Sequence, residues 1–424
     1  MKRYFCTLFF VAFCLGLTAQ NKESLQVSLV PSNDGFFPNR VLQLHAEVLN
    51  KNSVDQEFTI NWQITNDEGV VLREKEFPYK VKGDSEVWAY CPIYRFQSDG
   101  FFEVRATVQT AETSQKIKTV VTVNPEKITS PLRKTDDFDA FWSNAKEELS
   151  QVNPEYKVKK IKREKSAKTH LYEVEMKSIG GLTVRGWLEV PKKKGVYPTL
   201  LQVPGYTVNL EPVDKYDDMV IFSFNVRDHG NSDNTGERNY KMWARGLDNP
   251  KAFYYYGIYL DCLRAMDFLM TREEVDQSKI AVWGASQGGG LAWVTASLDQ
   301  RVSLCIADIP FLTDWERYFS ISNWEEIDEW MAHHPNVSWD EILTTLSYFD
   351  TKNMVDKIQC PVYMGIGMQD EVCPPATSFA AYNRITTPKK YFIDQDQGHW
   401  VSDERWEEHY QEVRSFFKMD KENK

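Results

Sequence analysis

Lys279-Ile280-Ala281-Val282-Trp283-Gly284-Ala285-Ser286-Gln287-Gly288-Gly289-Gly290-Leu291 joins an apolar run to a G-x-S-x-G pentapeptide and a helix-compatible stretch reaching Leu298. The continuous apolar residues Ile280 to Trp283 suit a strand buried on both faces. Glycines at 284 and 288 let the chain turn sharply from strand to helix and leave Ser286 at the crest. That placement matters because a serine hydroxyl is a weak nucleophile until an adjacent base takes its proton. The pentapeptide alone arises by chance in roughly one chain in ten of this length. Its flanks give it weight, and they predict a mostly parallel sheet with the site beyond the carboxyl ends of its strands.

Outward from this turn, the chain divides by period. From Ser24 to Val123 apolar and polar residues alternate: Leu42, Leu44, Ala46, Val48; Phe58, Ile60, Trp62, Ile64; Phe102, Val104, Ala106, Val108; Ile117, Thr119, Val121, Val123. Turn-forming stretches such as Asn66-Asp67-Glu68-Gly69 separate them. About seven short strands over about 100 residues predict an immunoglobulin-like β-sandwich, assigned to residues 22–125. A linker over 124–134 and an amphipathic helix opening near Asp136 follow. Beyond them, strands alternate with helices to the C-terminus. Among these are a strand at 280–283, a helix at 290–298 and a helical insertion from Asp314 to about Leu346, an α/β arrangement.

At the N-terminus Lys2 and Arg3 precede an apolar run to Leu17 that is too short to span a bilayer. Residues 1–19 therefore read as a signal peptide cleaved after Ala19, so a periplasmic or extracellular location is expected, with no membrane span. The net charge of −11 argues against nucleic acid as a partner. Five cysteines remain after the leader: Cys91, Cys262, Cys305, Cys360 and Cys373. Their number and spacing make neither a disulfide framework nor a zinc site, although one bridge could form in an oxidising compartment.

A serine nucleophile working near neutral pH needs a histidine base. His399 follows the last strand and comes after Ser286, whereas His229 precedes the nucleophile and would need another topology. For the acid that orients the imidazole, Asp370 follows the strand at 361–366; Glu371, Asp308, Asp394 and Asp396 compete less well. The order Ser286, Asp370, His399 is that of the α/β-hydrolase fold. Two backbone N–H groups should complete an oxyanion hole: that of Gln287, and that of Tyr206 in the turn Pro204-Gly205-Tyr206.

These residues carry a family resemblance. Cys360-Pro361-Val362-Tyr363-Met364-Gly365-Ile366-Gly367-Met368-Gln369-Asp370, Cys373-Pro374-Pro375-Ala376-Thr377, Gly284-Ala285-Ser286-Gln287-Gly288-Gly289, Pro204-Gly205-Tyr206, Tyr254-Tyr255-Tyr256 and Leu346-Ser347-Tyr348-Phe349-Asp350 occur in one chain. Together they resemble the acetyl xylan esterase / cephalosporin C deacetylase family, over 131–424. The resemblance implies Ser286, Asp370 and His399 as triad, with Tyr206 and Gln287 as oxyanion donors. It also implies a ring-like homo-oligomer, which the added N-terminal domain could alter. Two positions depart from the family pattern: Arg227-Asp228-His229-Gly230-Asn231-Ser232 stands where an Arg-Gly-Gln-Gly loop is usual, and Gly257 stands where arginine is usual.

The expected function is thus a secreted serine esterase that deacetylates xylan, xylo-oligosaccharides or related acetyl esters, with no cofactor or metal. The alternatives are a serine peptidase on the same fold, or a carbohydrate-binding protein with an inactive hydrolase domain.

Overall fold

The computed structural model describes residues 25–233, 242–322 and 324–419, so the leader expected over 1–19 lies outside the described residues. The N-terminal strands are β1 (Leu25–Pro31), β2 (Leu44–Asn50), β3 (Gln56–Asn66), β4 (Val71–Val81), β5 (Ser85–Tyr90), β6 (Gly100–Gln109) and β7 (Ser114–Val123). They form two sheets, ordered β1-β2-β5 and β4-β3-β6-β7, with antiparallel pairing throughout. Alternation puts Ile60, Trp62 and Ile64 into the core between the sheets. Three strands, β1, β4 and β5, fall outside the four alternating runs; of these β4 (Val-Leu-Arg-Glu-Lys-Glu-Phe-Pro-Tyr-Lys-Val) is a charged edge strand with little to bury.

The expected linker is not a loose tether. Asn383 Nδ2 donates to the carbonyls of Pro125 and Ile128, both at 2.9 Å, and Lys352 Nζ donates to the Pro131 carbonyl at 2.7 Å. Helix α1 (Phe138–Ser150) follows, burying Phe138, Trp142, Ala145 and Leu149 along one stripe.

The second domain is built on β8 (Lys157–Ile161), β9 (Thr169–Lys177), β10 (Thr183–Pro191), β11 (Tyr197–Gln202), β12 (Val220–Asn225), α2 (Tyr254–Leu269), β13 (Val275–Ala285), α3 (Gln287–Leu298) and β14 (Leu304–Asp308). The insertion forms α4 (Trp315–Ile321), α5 (Glu325–His333) and α6 (Trp339–Ser347). The chain closes with β15 (Val362–Gly367), α7 (Pro375–Tyr382), β16 (Lys389–Asp394) and α8 (Asp403–Phe416). Nine strands run in the order β16-β15-β14-β13-β11-β12-β10-β9-β8, parallel from β12 to β16 and antiparallel beyond. This is an α/β-hydrolase sheet.

Both faces are covered, and β13 shows how. Ile280 and Val282 enter the core shared with α2 and α3, while Ala281 and Trp283 enter the core shared with Tyr410 and Val413 of α8. Helix α3 begins at Gln287, three residues before the expected start, because the turn ends directly in helix. All five described cysteines are buried and free, so none forms a disulfide.

Candidate active site

The β13–α3 junction holds Ser286 at φ 60°, ψ −122°, a conformation that L-residues rarely adopt. Three backbone bonds hold it there. The Ser286 N–H donates to the Asp308 carbonyl at 2.9 Å, and its own carbonyl accepts from Gly290 (3.1 Å) and Phe311 (3.0 Å). No side chain fits beneath: a Cβ at 284 would lie 2.5 Å from the Gly288 backbone, and one at 288 would lie 2.5 Å from the Val203 carbonyl oxygen.

Three of the predicted residues meet. His399 Nε2 lies 3.0 Å from Ser286 Oγ, and His399 Nδ1 lies 2.8 Å from Asp370 Oδ2. The other oxygen, Asp370 Oδ1, accepts the backbone N–H groups of Val372 (2.9 Å) and Cys373 (2.8 Å). An ionised carboxylate only accepts, so Nδ1 carries the imidazole proton and Nε2 faces the serine hydroxyl as acceptor. The arrangement can move a proton from Oγ to the ring while the carboxylate stabilises the resulting cation. Of the competing acids, Asp308 is committed elsewhere: its Oδ2 accepts Trp283 Nε1–H at 3.0 Å.

The two other predicted residues border the same site. Gln287 opens α3, so its backbone N–H has no intrahelical acceptor. Tyr206 shares with Ser286 and His399 a cavity of about 370 Å³, walled mostly by apolar side chains including Val208, Leu210, Trp283 and Ile309. The Tyr206 hydroxyl donates to Glu326 of α5 (2.9 Å) and accepts the Met242 N–H (3.1 Å). Burial, reinforced by the Glu326 carboxylate, holds that phenol protonated far above its ordinary value. The ring therefore ties the turn to the helical insertion.

His229, the rival base, has another place. It is buried, its Nδ1 lies 2.9 Å from the Arg227 carbonyl, and its Nε2 lies 3.2 Å from Gln287 Nε2. Nδ1 must then be the donor, leaving Nε2 to accept from the amide. The same amide donates to the Pro204 carbonyl at 3.2 Å, and its oxygen accepts the Tyr255 hydroxyl at 2.7 Å. The Gln287 side chain thereby fastens the elbow to the Pro204-Gly205-Tyr206 turn. Burial pushes the His229 pKa down, which keeps it a neutral acceptor.

The departure at Gly257 also has a physical reason. A Cβ there would lie 2.0 Å from Arg227 Nη1. Arg227 instead lies over the helix and pairs with Asp261 at 2.8 Å through two nitrogens.

Sequence reasoning missed the supports: His229, Tyr255, Glu326 and also Cys373, whose buried thiol interacts with the Ser286 side chain. The short interval from Asp370 to Cys373 was the available hint. Asp370, Cys373 and His399 have potential metal-ligand atoms within 4.8 Å of one another. They fit a proton relay better than a cation, since Nδ1 already donates to Asp370 and burial holds the thiol well above its usual pKa.

A family profile described as acetyl xylan esterase (AXE1) matches residues 126–418. Acetyl esterase Axe7A of Xylanibacter ruminicola is 29% identical over 326 residues, spanning 72% of this chain and 72% of that protein. The solved acetyl xylan esterase from Paenibacillus sp. R4 is 32% identical with a TM-score of 0.64, and its counterpart from Thermoanaerobacterium sp. JW/SL YS485 is 28% identical with a TM-score of 0.64. Each superposes over 98% of its own chain but 69% of this one, and the sandwich falls outside the family match. The chain belongs to the acetyl xylan esterase family of α/β-hydrolases.

Proposed function

We propose that the protein is an exported serine carboxylesterase that removes acetyl groups from acetylated xylan, xylo-oligosaccharides or related short-chain acetyl esters. The observation that carries this reading is the unbroken hydrogen-bond chain Asp370–His399–Ser286 at the strained turn. Ser286 Oγ attacks the acetyl carbonyl carbon as His399 Nε2 takes its proton. The N–H groups of Tyr206 and Gln287 receive the negative oxygen, each such donor lowering the barrier by about 3 kcal/mol. The tetrahedral intermediate collapses as His399 returns the proton to the departing sugar oxygen, leaving an acetyl-serine. Water then attacks this ester, giving up its proton to His399, and release of acetate restores the hydroxyl. The apolar cavity beside Ser286 suits a short acyl group. For export, the support is Lys2 and Arg3 ahead of the apolar run to Leu17; the N-terminal sequence of the secreted protein should begin after Ala19.

Ser286→Ala tests the mechanism. Turnover of p-nitrophenyl acetate and of acetylated xylo-oligosaccharide should fall on the order of 10⁵-fold with the fold intact. Retention of most activity would remove Ser286 from the reaction. Faster cleavage of a peptide amide than of the acetyl ester would overturn the esterase reading in favour of a peptidase.

A further inference from the structure

We infer that the N-terminal sandwich is a working part of the esterase site, acting through Gln369 to position the loop that carries Asp370. This rests on the triad reading above. Strand β7 is the outer strand of its sheet, paired along its length with β6 and bridged on its other side by Phe36 at Thr122, which leaves the backbone of Val120 facing outward. An edge residue presents an N–H and a C=O outward, and a primary amide can satisfy both. At Val120 it does: Gln369 Oε1 accepts the Val120 N–H at 2.8 Å, and Gln369 Nε2 donates to the Val120 carbonyl at 3.2 Å.

The same Nε2 donates to the Gln395 carbonyl at 2.7 Å, and the Gln369 backbone N–H donates to the Gln397 carbonyl at 2.9 Å. Gln395 and Gln397 lie in the loop that leads to His399. One residue thus clamps three segments: the sandwich edge, the acid loop and the base loop. Flanking contacts hold the domains in register. Lys118 pairs with Glu371, Asp67 Oδ2 lies 2.5 Å from Arg317 Nη2, and the Phe101 and Phe379 rings lie 5.8 Å apart.

Asp370 is the next residue, and its carboxylate must keep to His399 Nδ1 from a loop rather than from a strand. Loops are the mobile parts of such scaffolds, and a displacement of about 1 Å can lower a rate on the order of 100-fold. Gln369 is accordingly a positioning residue. It touches no reacting atom, and removing it should lower kcat rather than weaken substrate binding.

The experiment uses the full chain and p-nitrophenyl acetate. Gln369→Leu keeps the bulk and removes the amide; at a temperature where the variant is fully folded, kcat should fall on the order of tenfold with KM within about twofold. Val120→Pro removes the opposing donor from the sandwich side, at an outward edge position where proline is tolerated, and should lower kcat about threefold. Arg317→Ala breaks a domain contact that includes no residue of the acid loop and should lower the melting midpoint while sparing kcat. Unchanged kcat in both Gln369→Leu and Val120→Pro, with Ser286→Ala and Asp370→Asn inactive, overturns the brace and leaves the triad standing. A kcat loss in Gln369→Leu that only matches its loss of folded protein also overturns it. Full activity in Ser286→Ala and Asp370→Asn would bring down the triad reading itself.

Discussion

Two histidines of the hydrolase domain each lie against an aspartate, and only one faces a hydroxyl. His399 stands between Asp370 and Ser286, with 24% of its side chain exposed. His409, on α8, is fully buried between Asp308, with Nε2 2.5 Å from Oδ2, and Glu412, with Nδ1 3.1 Å from Oε2. Its ring lies 5.1 Å from that of Trp283. Burial opposes a charge on His409, yet the two carboxylates prevail and raise its pKa. An aspartate–histidine contact is therefore no mark of catalysis by itself. What separates the pairs is an open imidazole edge aimed at a serine held in strained backbone. The second pair joins strand β14 to helix α8 and leaves its histidine no face for a substrate.

Asp370→Asn is the largest way to test that contrast. An amide can offer the ring a donor as readily as an acceptor, so the proton is no longer fixed on Nδ1. The kcat for acetyl ester should fall about 10⁴-fold while the circular dichroism spectrum stays that of the wild type. A loss below tenfold would mean that orientation by Asp370 is not what distinguishes His399.

His409→Gln should reverse the pattern. It removes the cation that lies between Asp308 and Glu412, a change that typically costs about 3 kcal/mol or more where a buried carboxylate loses its partner. Lys390 and Arg405 compensate in part, with Lys390 Nζ 3.2 Å and Arg405 Nη1 3.5 Å from Glu412, and Arg405 Nε 4.0 Å from Asp308. Urea unfolding at pH 6 should show the loss. The sign of its pH dependence follows from the raised pKa. The contribution of the charged ring is complete below the ordinary imidazole value and disappears as pH rises through the folded-state value. The stability gap between wild type and His409→Gln should hence narrow from pH 6 to pH 9; a gap that widens would show that the ring is buried neutral.

Much of this was legible in sequence, and unevenly. The elbow, the order Ser286, Asp370, His399, the alternation of the sandwich and the helical insertion all rest on local pattern or chain order. The parts that escaped are pairings across long sequence separations. Gln369 meets Val120 across 249 positions, and although Gln369 stands in the Cys360–Asp370 motif, nothing in that motif points to Val120. His229 and Tyr255, 58 and 32 positions from Gln287, reach it only through the tertiary fold. The contact between His409 and Asp308 has no local signal in the sequence, because what links them is the packing of α8 on β14. Sequence named the groups that would do chemistry and was silent about what holds them.

The smallest expected effect carries the finest test. His409 and Ser286 are linked through one residue: Asp308 contacts the buried ring with its side chain and accepts the Ser286 N–H with its carbonyl at 2.9 Å. If the buried pair worked by tuning the elbow electrostatically, His409→Gln would depress kcat as it depresses stability. The link, however, runs through a backbone carbonyl that the parallel β13–β14 ladder already fixes, with Ala285 opposite Asp308. Side-chain replacement leaves that ladder in place. At a temperature where the variant is fully folded, kcat of His409→Gln should stay within about threefold of wild type, as for a residue that makes no contact with the reacting atoms. A tenfold fall under those conditions would erase the distinction between the two histidines and make the pair beneath the sheet part of the site above it.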